Sequence, residues 1–329
     1  MNNIILTSLD PGKNTGGVKA KIDIINFLKE HGYTSYEVNP YVSKLKKAIL
    51  ANITIPKDIN RLSPDKVIIQ YPIPSEHITR KIIECIRKKK DSKIVFLIHD
   101  IQGLQSTESE TIVKELKIFD LADEIIVHNK HMGKWLQEKG CQKPLVDLEV
   151  FDYANPQPIN KAVEYNRSIC FAGNLFKSEF LKDLDLKHGF YAFGPNMFSE
   201  YPSCIEYCGQ YSPEELPAHL NQNFGLIWDG PSIKTCKGTY GNYLRYNNPH
   251  KTSLYISSGI PIIIWKKAAL ADFVLDNKIG IAIDSLNELD SVLDSISEEQ
   301  YQQIKSNTRE IAQKLREGYY TKKAADSVN

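Results

Sequence analysis

The residues with the most chemical content stand between Thr235 and Lys267. Gly238, Gly241, Asn247, Asn248, Pro249, His250 and Lys251 lead into a helical pattern, and Gly259-Ile260-Pro261 and an apolar run follow. Asn248 has the side chain of an N-cap, and Pro249 has the fixed φ favoured at a first helical position. The backbone N–H groups of that helix start would therefore face an anion. Lys251, one turn in, adds a full positive charge. The same residues also fit an ordinary capped helix with a solvated lysine, and spacing alone leaves the two readings level.

Two further places can carry chemistry. Pro11-Gly12-Lys13-Asn14-Thr15-Gly16-Gly17-Val18 follows the first apolar run. Gly16 and Gly17 let the backbone come close to a ligand at a helix start. This is neither the GxGxxG fingerprint nor a loop ending in GK[ST], so dinucleotide and ATP readings are weak, and a plain turn is the bland alternative. His99-Asp100 closes the apolar run Ile94 to Ile98. A carboxylate or imidazole at a strand end can act as a general base toward a hydroxyl, with Asp100 the first choice and His99 the second, while either can instead bond locally in the following loop. Asp183-Leu184-Asp185 has a metal-binding spacing but reads as the solvated face of a helix. The histidines show no HExxH, and His128 and His131, three apart, have no carboxylate company. No metal site is expected, and the absent Gly-x-Ser-x-Gly removes the usual hydrolase nucleophile.

Those residues need a scaffold. Short β-branched runs at Asn3 to Thr7, Tyr33 to Val38, Lys66 to Gln70, Lys93 to His99, Glu124 to His128 and, more weakly, Leu145 to Leu148 alternate with helical patterns such as Val18 to His31. That is the signature of a parallel sheet flanked by helices. Phe151 to Asn166, with Pro156, Pro158 and several Asn, reads as an inter-domain linker. The alternation then resumes with strands at Ser168 to Phe171, Tyr191 to Phe193, Ile205 to Cys208, Phe224 to Trp228, Ile260 to Trp265 and Ile279 to Ile283. Helices are expected at Ser178 to Leu186, Pro213 to Leu220, Asn248 to Ser258, Ala268 to Asn277 and Leu286 to Ile296, and the tail from Ser297 to about Lys323 is strongly helical. Ligands in such sheets gather at the carboxyl ends of strands.

Composition narrows the class. A chain of 329 residues suits two α/β domains, and 41 Lys+Arg against 40 Asp+Glu gives no global field for nucleic acid. Six scattered cysteines without a CxxC pair or a signal peptide read as reduced thiols of a cytoplasmic protein. No run approaches the roughly 20 apolar residues that span a bilayer, so no integral membrane segment is expected.

The segment Cys236 to Val274, with its Tyr-Asn-Asn-Pro-His-Lys, Ser-Gly-Ile-Pro and Trp-Lys-Lys-Ala pieces, resembles the sugar-binding core of the bacterial glucosyltransferase 3 enzymes and related galactofuranosyltransferases. The resemblance extends over essentially the whole chain. It implies an α/β fold of GT-B type, two Rossmann-like domains facing each other across a cleft. Residues 1–155 would bind the acceptor and 165–310 the nucleotide sugar, with 311–329 a C-terminal helix packing back on the first domain. It also implies a UDP-sugar donor, no metal, no cofactor and a homo-oligomer, dimer or tetramer. Carried over by position, Asn248 and Lys251 would meet the diphosphate and Tyr211 the uridine or ribose. Lys177, in Gly173-Asn174-Leu175-Phe176-Lys177, would stand where the family has a phosphate-reaching arginine. A lysine there is a point charge without the bidentate fork, and an ordinary solvated lysine is its alternative. For Tyr211 a packing or surface role competes. Gly16 and Gly17 would approach the donor from the first domain.

After the expected strand at Ile260, the turn Trp265-Lys266-Lys267-Ala268-Ala269 offers Lys266 and its backbone N–H groups, those of Ala268 and Ala269 among them, to sugar hydroxyls or β-phosphate, and its lack of a glutamate favours inversion of the anomeric centre. The expected activity is therefore transfer of a hexose, glucose first, from a UDP-sugar to a glycan acceptor such as a GlcNAc-modified serine-rich-repeat adhesin. Alternatives are galactofuranose transfer into a surface polysaccharide, a non-catalytic GT-B partner subunit, and an epimerase or nucleotide-sugar binding module.

Overall fold

Twelve short strands, most of them followed by a helix, form the frame of the computed structural model, which describes residues 2–10, 15–89, 91–105, 109–159 and 164–328. The chain divides into two compact units, Met1–Leu148 with Thr321–Asn329, and Glu149–Tyr320.

In the first unit, β1 (Asn3–Thr7), β2 (Thr34–Glu37), β3 (Lys66–Tyr71), β4 (Lys93–Ile98), β5 (Glu124–Val127) and β6 (Leu145–Asp147) make one parallel sheet in the order β2-β1-β3-β4-β5-β6. The central strands β1, β3 and β4 read as apolar runs because both faces are covered; Ile4 to Leu6, Val67 to Ile69 and Ile94 to Ile98 are all buried. The covering helices are α1 (Gly16–Glu30), α2 (Lys44–Ile49), α3 (Ile55–Leu62), α4 (Glu76–Ile86), α5 (Gln102–Gln105), α6 (Ser109–Phe119) and α7 (Lys130–Glu138). A π turn over Leu50–Thr54 joins α2 to α3, a helical stretch that the sequence reading did not pick out.

The second unit repeats the plan. Its strands β7 (Ile169–Ala172), β8 (Phe190–Phe193), β9 (Ile205–Tyr207), β10 (Phe224–Ile227), β11 (Ile262–Trp265) and β12 (Gly280–Ile283) lie parallel in the order β12-β11-β10-β7-β8-β9. Helices α8 (Leu216–His219), α9 (Gly238–Tyr243), α10 (His250–Ser257), α11 (Ala271–Asp276), α12 (Leu289–Ser295) and α13 (Glu298–Arg316) surround it, and α14 (Tyr319–Ser327) ends the chain. From Thr321 onward that last helix belongs to the first unit, where Lys66 Nζ donates to Val328 O at 2.6 Å and His31 meets Asp326 at 2.8 Å. Among the described residues no helix is long and apolar enough to cross a membrane.

Three expectations are corrected. The stretch expected to be a linker from Phe151 is structural: Phe151, Asp152 and Tyr153 are buried, Ser253 Oγ donates to Phe151 O at 2.7 Å and Tyr153 N to Leu315 O at 3.1 Å. The division of the chain falls before it, at Leu148 and Glu149, and residues 160–163 lie outside the described ones. Ser178 to Leu186 is not an α-helix but short 3-10 turns at Leu175–Lys177 and Glu179–Asp183, broken at Ser178 by φ −116° and ψ 51°. Asp183 therefore ends a 3-10 turn, and Asp185 lies beyond it.

Candidate functional site

In the second unit the strand order reverses between β7 and β10, the switch point where open α/β sheets bind ligands. Lys251 reaches that point from α10. Its ammonium donates to Trp228 O at 3.3 Å and to Asp229 Oδ1 at 2.9 Å, both just past β10, and lies 4.6 Å from the ring centre of Phe171 in β7. The pair is mostly buried, with side-chain exposures of 14% for Lys251 and 20% for Asp229. Asp229 was not picked out from the sequence, although it follows an apolar run just as Asp100 does.

Helix α10 is held by what the sheet leaves open beneath it. A Cβ at Gly225 in β10 would fall 2.3 Å from the Tyr255 ring, so glycine is what lets the helix settle there. The fully buried Tyr255 hydroxyl then accepts the Ala172 N–H at 2.6 Å, tying the helix to the end of β7. Burial holds the phenol well above its ordinary pKa, so it stays a neutral hydroxyl. The start of the helix differs from expectation by one residue. Pro249 occupies the cap position with no side-chain cap, and Asn248, expected to cap it, donates its amide to Glu149 O at 3.1 Å. Asn248 thus anchors the entry of the second unit to the helix that carries Lys251. What remains of the anion reading is the helix start itself and the lysine.

The other expected residues of this unit separate. The Lys177 ammonium lies 4.2 Å from the ring centre of Tyr240 in α9, the helix that follows Cys236. A Cβ at Gly241 of the same helix would meet the Cys236 backbone at 2.7 Å and Asp229 O at 2.9 Å, so α9 packs closely on the Asp229 loop. Lys251 thus bonds to that loop directly, and Lys177 reaches the helix that packs on it. Tyr211 stacks on His219 with centroids 3.6 Å apart and approaches Phe193 at the end of β8. Lys266 is mostly exposed and pairs with Asp284 at 3.3 Å. The Ala268 and Ala269 N–H groups, expected to face a sugar or phosphate, are donated to Trp265 O and Leu244 O at 2.9 and 2.8 Å. Those two N–H groups are used within the fold, and α11 begins only at Ala271.

In the first unit the order reverses between β1 and β3. Gly16 and Gly17 open α1 behind an extended Thr15, while Pro11 to Asn14 of the expected loop lie outside the described residues. Lys21 of α1, missed in the sequence, donates to Ser8 O at 3.1 Å and Pro72 O at 3.4 Å, across the switch point. Burial pulls its pKa down to about 8, and the charge of Asp100 opposes that fall. His99, half-buried, meets Gln70 Oε1 at 2.7 Å, and Gln70 in turn donates to Lys21 O at 3.2 Å. Asp100 is exposed and accepts from Gln105 Nε2 at 2.8 Å. The loop carrying it is set by Glu115 of α6, a buried carboxylate that accepts from Tyr71 Oη at 3.1 Å, Gln102 N at 3.0 Å and Gly103 N at 2.7 Å. Lys21, Gln70, His99 and Asp100 thus form one polar group at the carboxyl ends of β1, β3 and β4. His128, by contrast, is fully buried with its pKa lowered to about 4 by desolvation, the state of a core imidazole.

Comparison with known proteins assigns this arrangement to a family. The family described as Glucosyltransferase 3-like, N-terminal domain, matches residues 2–150, and its C-terminal domain matches 169–328. The chain is 33% identical to the beta-1,6-galactofuranosyltransferase WbbI of Escherichia coli (strain K12) over 98% of this chain and 97% of that protein. It is 25% identical to glucosyltransferase 3 of Streptococcus gordonii over 70% and 69%. Among solved structures, a glycosyltransferase from Rickettsia africae ESF-5 superposes with a TM-score of 0.59 at 12% identity over 99% of this chain and 97% of that one. WaaG, a glycosyltransferase involved in lipopolysaccharide biosynthesis, superposes with a TM-score of 0.56 at 11% identity over the full length of both chains. These structural likenesses speak to the two-domain GT-B fold, and the matches that span both halves speak to descent. The chain belongs to the glucosyltransferase 3-like family of glycosyltransferases.

Proposed function

We propose that the chain transfers a hexosyl group from a UDP-sugar to a glycan acceptor, without a metal ion and with inversion. The observation that carries this reading is Lys251, a mostly buried ammonium held at the β7/β10 switch point beside the start of α10. A group so placed meets the charge that develops on a departing diphosphate. In the reaction, an acceptor hydroxyl attacks the anomeric carbon, and its proton passes to the Asp100 carboxylate, with His99 the second choice of base. The bond from that carbon to the diphosphate oxygen breaks, and UDP leaves with its charge opposite Lys251 and Lys177. To Gly16 and Gly17, at the start of α1, we assign contacts with the UDP-sugar, and to Tyr211 contacts with the nucleoside. Asn248 acts through the backbone, by fixing Glu149 against α10.

Two hexoses compete. Glucose follows from the likeness of Cys236 to Val274 to the glucosyltransferase 3 core. Galactofuranose is favoured by the near full-length likeness to the galactofuranosyltransferase, which is the stronger of the two. The deciding experiment is UDP binding in buffer with a chelator, followed by incubation with UDP-glucose, UDP-galactopyranose and UDP-galactofuranose against GlcNAc-peptide and oligosaccharide acceptors, read by mass gain. A chain that binds no UDP without metal removes the reading. UDP bound with no mass gain on any acceptor supports a partner subunit instead, and an isomerised sugar supports an epimerase.

A further inference from the structure

Arg245 lies between α9 and α10, half-buried, with its guanidinium carbon 4.6 Å from the ring centre of Trp265. Most other arginines of the described residues have a defined oxygen partner: Arg61, Arg80, Arg87 and Arg167 face carboxylates, and Arg316 donates to Ser257 O. Arg245 differs. Among the described residues its guanidinium makes no hydrogen bond and no ion pair. Its five N–H donors are therefore open to an acceptor from outside the chain.

The platform beneath it is unusual in the same way. Trp265 is the last residue of β11 and fully buried, yet among the described residues its indole N–H has no partner, whereas Trp228, one strand away, donates to Ser232 O at 2.9 Å. The two indoles meet edge to face at 6.5 Å, so Arg245 and Lys251 belong to the same sheet end, one over Trp265 and the other bonded to Trp228 O. Both cations lie close enough to bias the buried Cys236 thiol.

Charge bookkeeping then requires a further cation. Asp229 cancels Lys251, which leaves Lys177 as the excess charge so far assigned to the site. A nucleoside diphosphate brings about three negative charges near neutral pH, its terminal phosphate titrating near pH 6 as other phosphate monoesters do. A guanidinium held over an indole face by cation–π attraction still has its planar fork of N–H donors to offer to two oxygens of one phosphate.

We propose that Arg245, held over the ring of Trp265, is the bidentate contact for the terminal phosphate of the nucleoside diphosphate, the role that a lysine at position 177 cannot fill. This rests on the donor-site reading above.

The test is calorimetric binding of UDP, UMP and uridine to the full chain, in metal-free buffer, for the wild type, Arg245→Gln and Arg245→Lys. The expected result is a loss of UDP affinity of about 10- to 100-fold in Arg245→Gln, partial recovery in Arg245→Lys, and UMP and uridine affinities within about two-fold of wild type. Unchanged UDP affinity in Arg245→Gln overturns the assignment. So does an equal loss for UMP and uridine, which marks a packing role. A wild-type chain that binds none of the three is a different failure, that of the donor site itself.

Discussion

The Lys251–Asp229 pair can be dissected because its two roles move in opposite directions. Lys251→Met keeps the length of the side chain against Phe171 but leaves the Asp229 carboxylate, one-fifth exposed, without the ammonium 2.9 Å away. Removing one partner of a fully buried pair costs about 3 to 5 kcal/mol and of an exposed pair about 0 to 1, so this intermediate case should cost about 2 kcal/mol of stability. Asp229→Asn leaves an acceptor for the ammonium and should cost about 1 kcal/mol. The double variant removes both charges and should recover most of the single Lys251→Met loss. UDP affinity behaves differently. Loss of a charge-assisted contact of about 1.5 to 3 kcal/mol weakens UDP about 10- to 100-fold, and the double variant does not restore it. Urea unfolding gives the first quantity and calorimetry the second. If Lys251→Met binds UDP as the wild type does, the diphosphate is not at this switch point. If the single and double variants are equally destabilised, the pair is not coupled.

Asp100→Asn should lower the transfer rate by about 100-fold or more while UDP affinity stays within about two-fold, since a general base contributes to the chemical step alone; near-normal turnover removes Asp100 and shifts the role to His99. Tyr255→Phe leaves the buried Ala172 N–H without its acceptor at 2.6 Å, and urea unfolding should register a loss of about 1 to 3 kcal/mol. Lys21 yields a pH signature. Its folded pKa, about 8, lies below its ordinary 10.5, so between those values the unfolded chain binds more protons and stability rises with pH, while below about pH 8 both states are protonated and the burial penalty is fully present. From pH 8 to 9.5 the wild type should gain about 1 kcal/mol relative to Lys21→Met, after allowance for solvent screening; parallel stability curves for the two proteins would falsify this assignment.

How far the sequence was legible depended on whether the deciding contact was local. Strands such as Asn3–Thr7 and Lys93–Ile98 were readable because both faces of a parallel sheet are covered, which leaves an unbroken apolar run in the chain itself. The stretch from Ser178 to Leu186 misled because Phe180, Leu181 and Leu184 have helical spacing. Their burial is achieved instead by a 3-10 turn, preceded by another that the Asn174 side chain caps at Phe176 N. Proline and asparagine after Phe151 rightly indicated irregular backbone. Irregular backbone is not the same as solvated backbone, and here Ser253 of α10 donates to one of its carbonyls while Leu315 of α13 accepts one of its N–H groups.

The site divides along the same line. Lys251 stood out because glycine, proline and lysine at a helix start are a local pattern. Its partner Asp229, the amide of Asn248 on Glu149, and Arg245 over Trp265 all depend on which strand ends are neighbours. That is a property of sheet order, not of spacing. β7 and β10 pair although β8 and β9 intervene in the chain, and the reversal that brings them together puts Phe171 within reach of the same ammonium that Trp228 and Asp229 hold. A residue just past a strand deserves weight according to the strand beside it. By that rule Asp229 ranks with Asp100, and Lys266, at the end of β11 but turned to Asp284 and solvent, ranks below them.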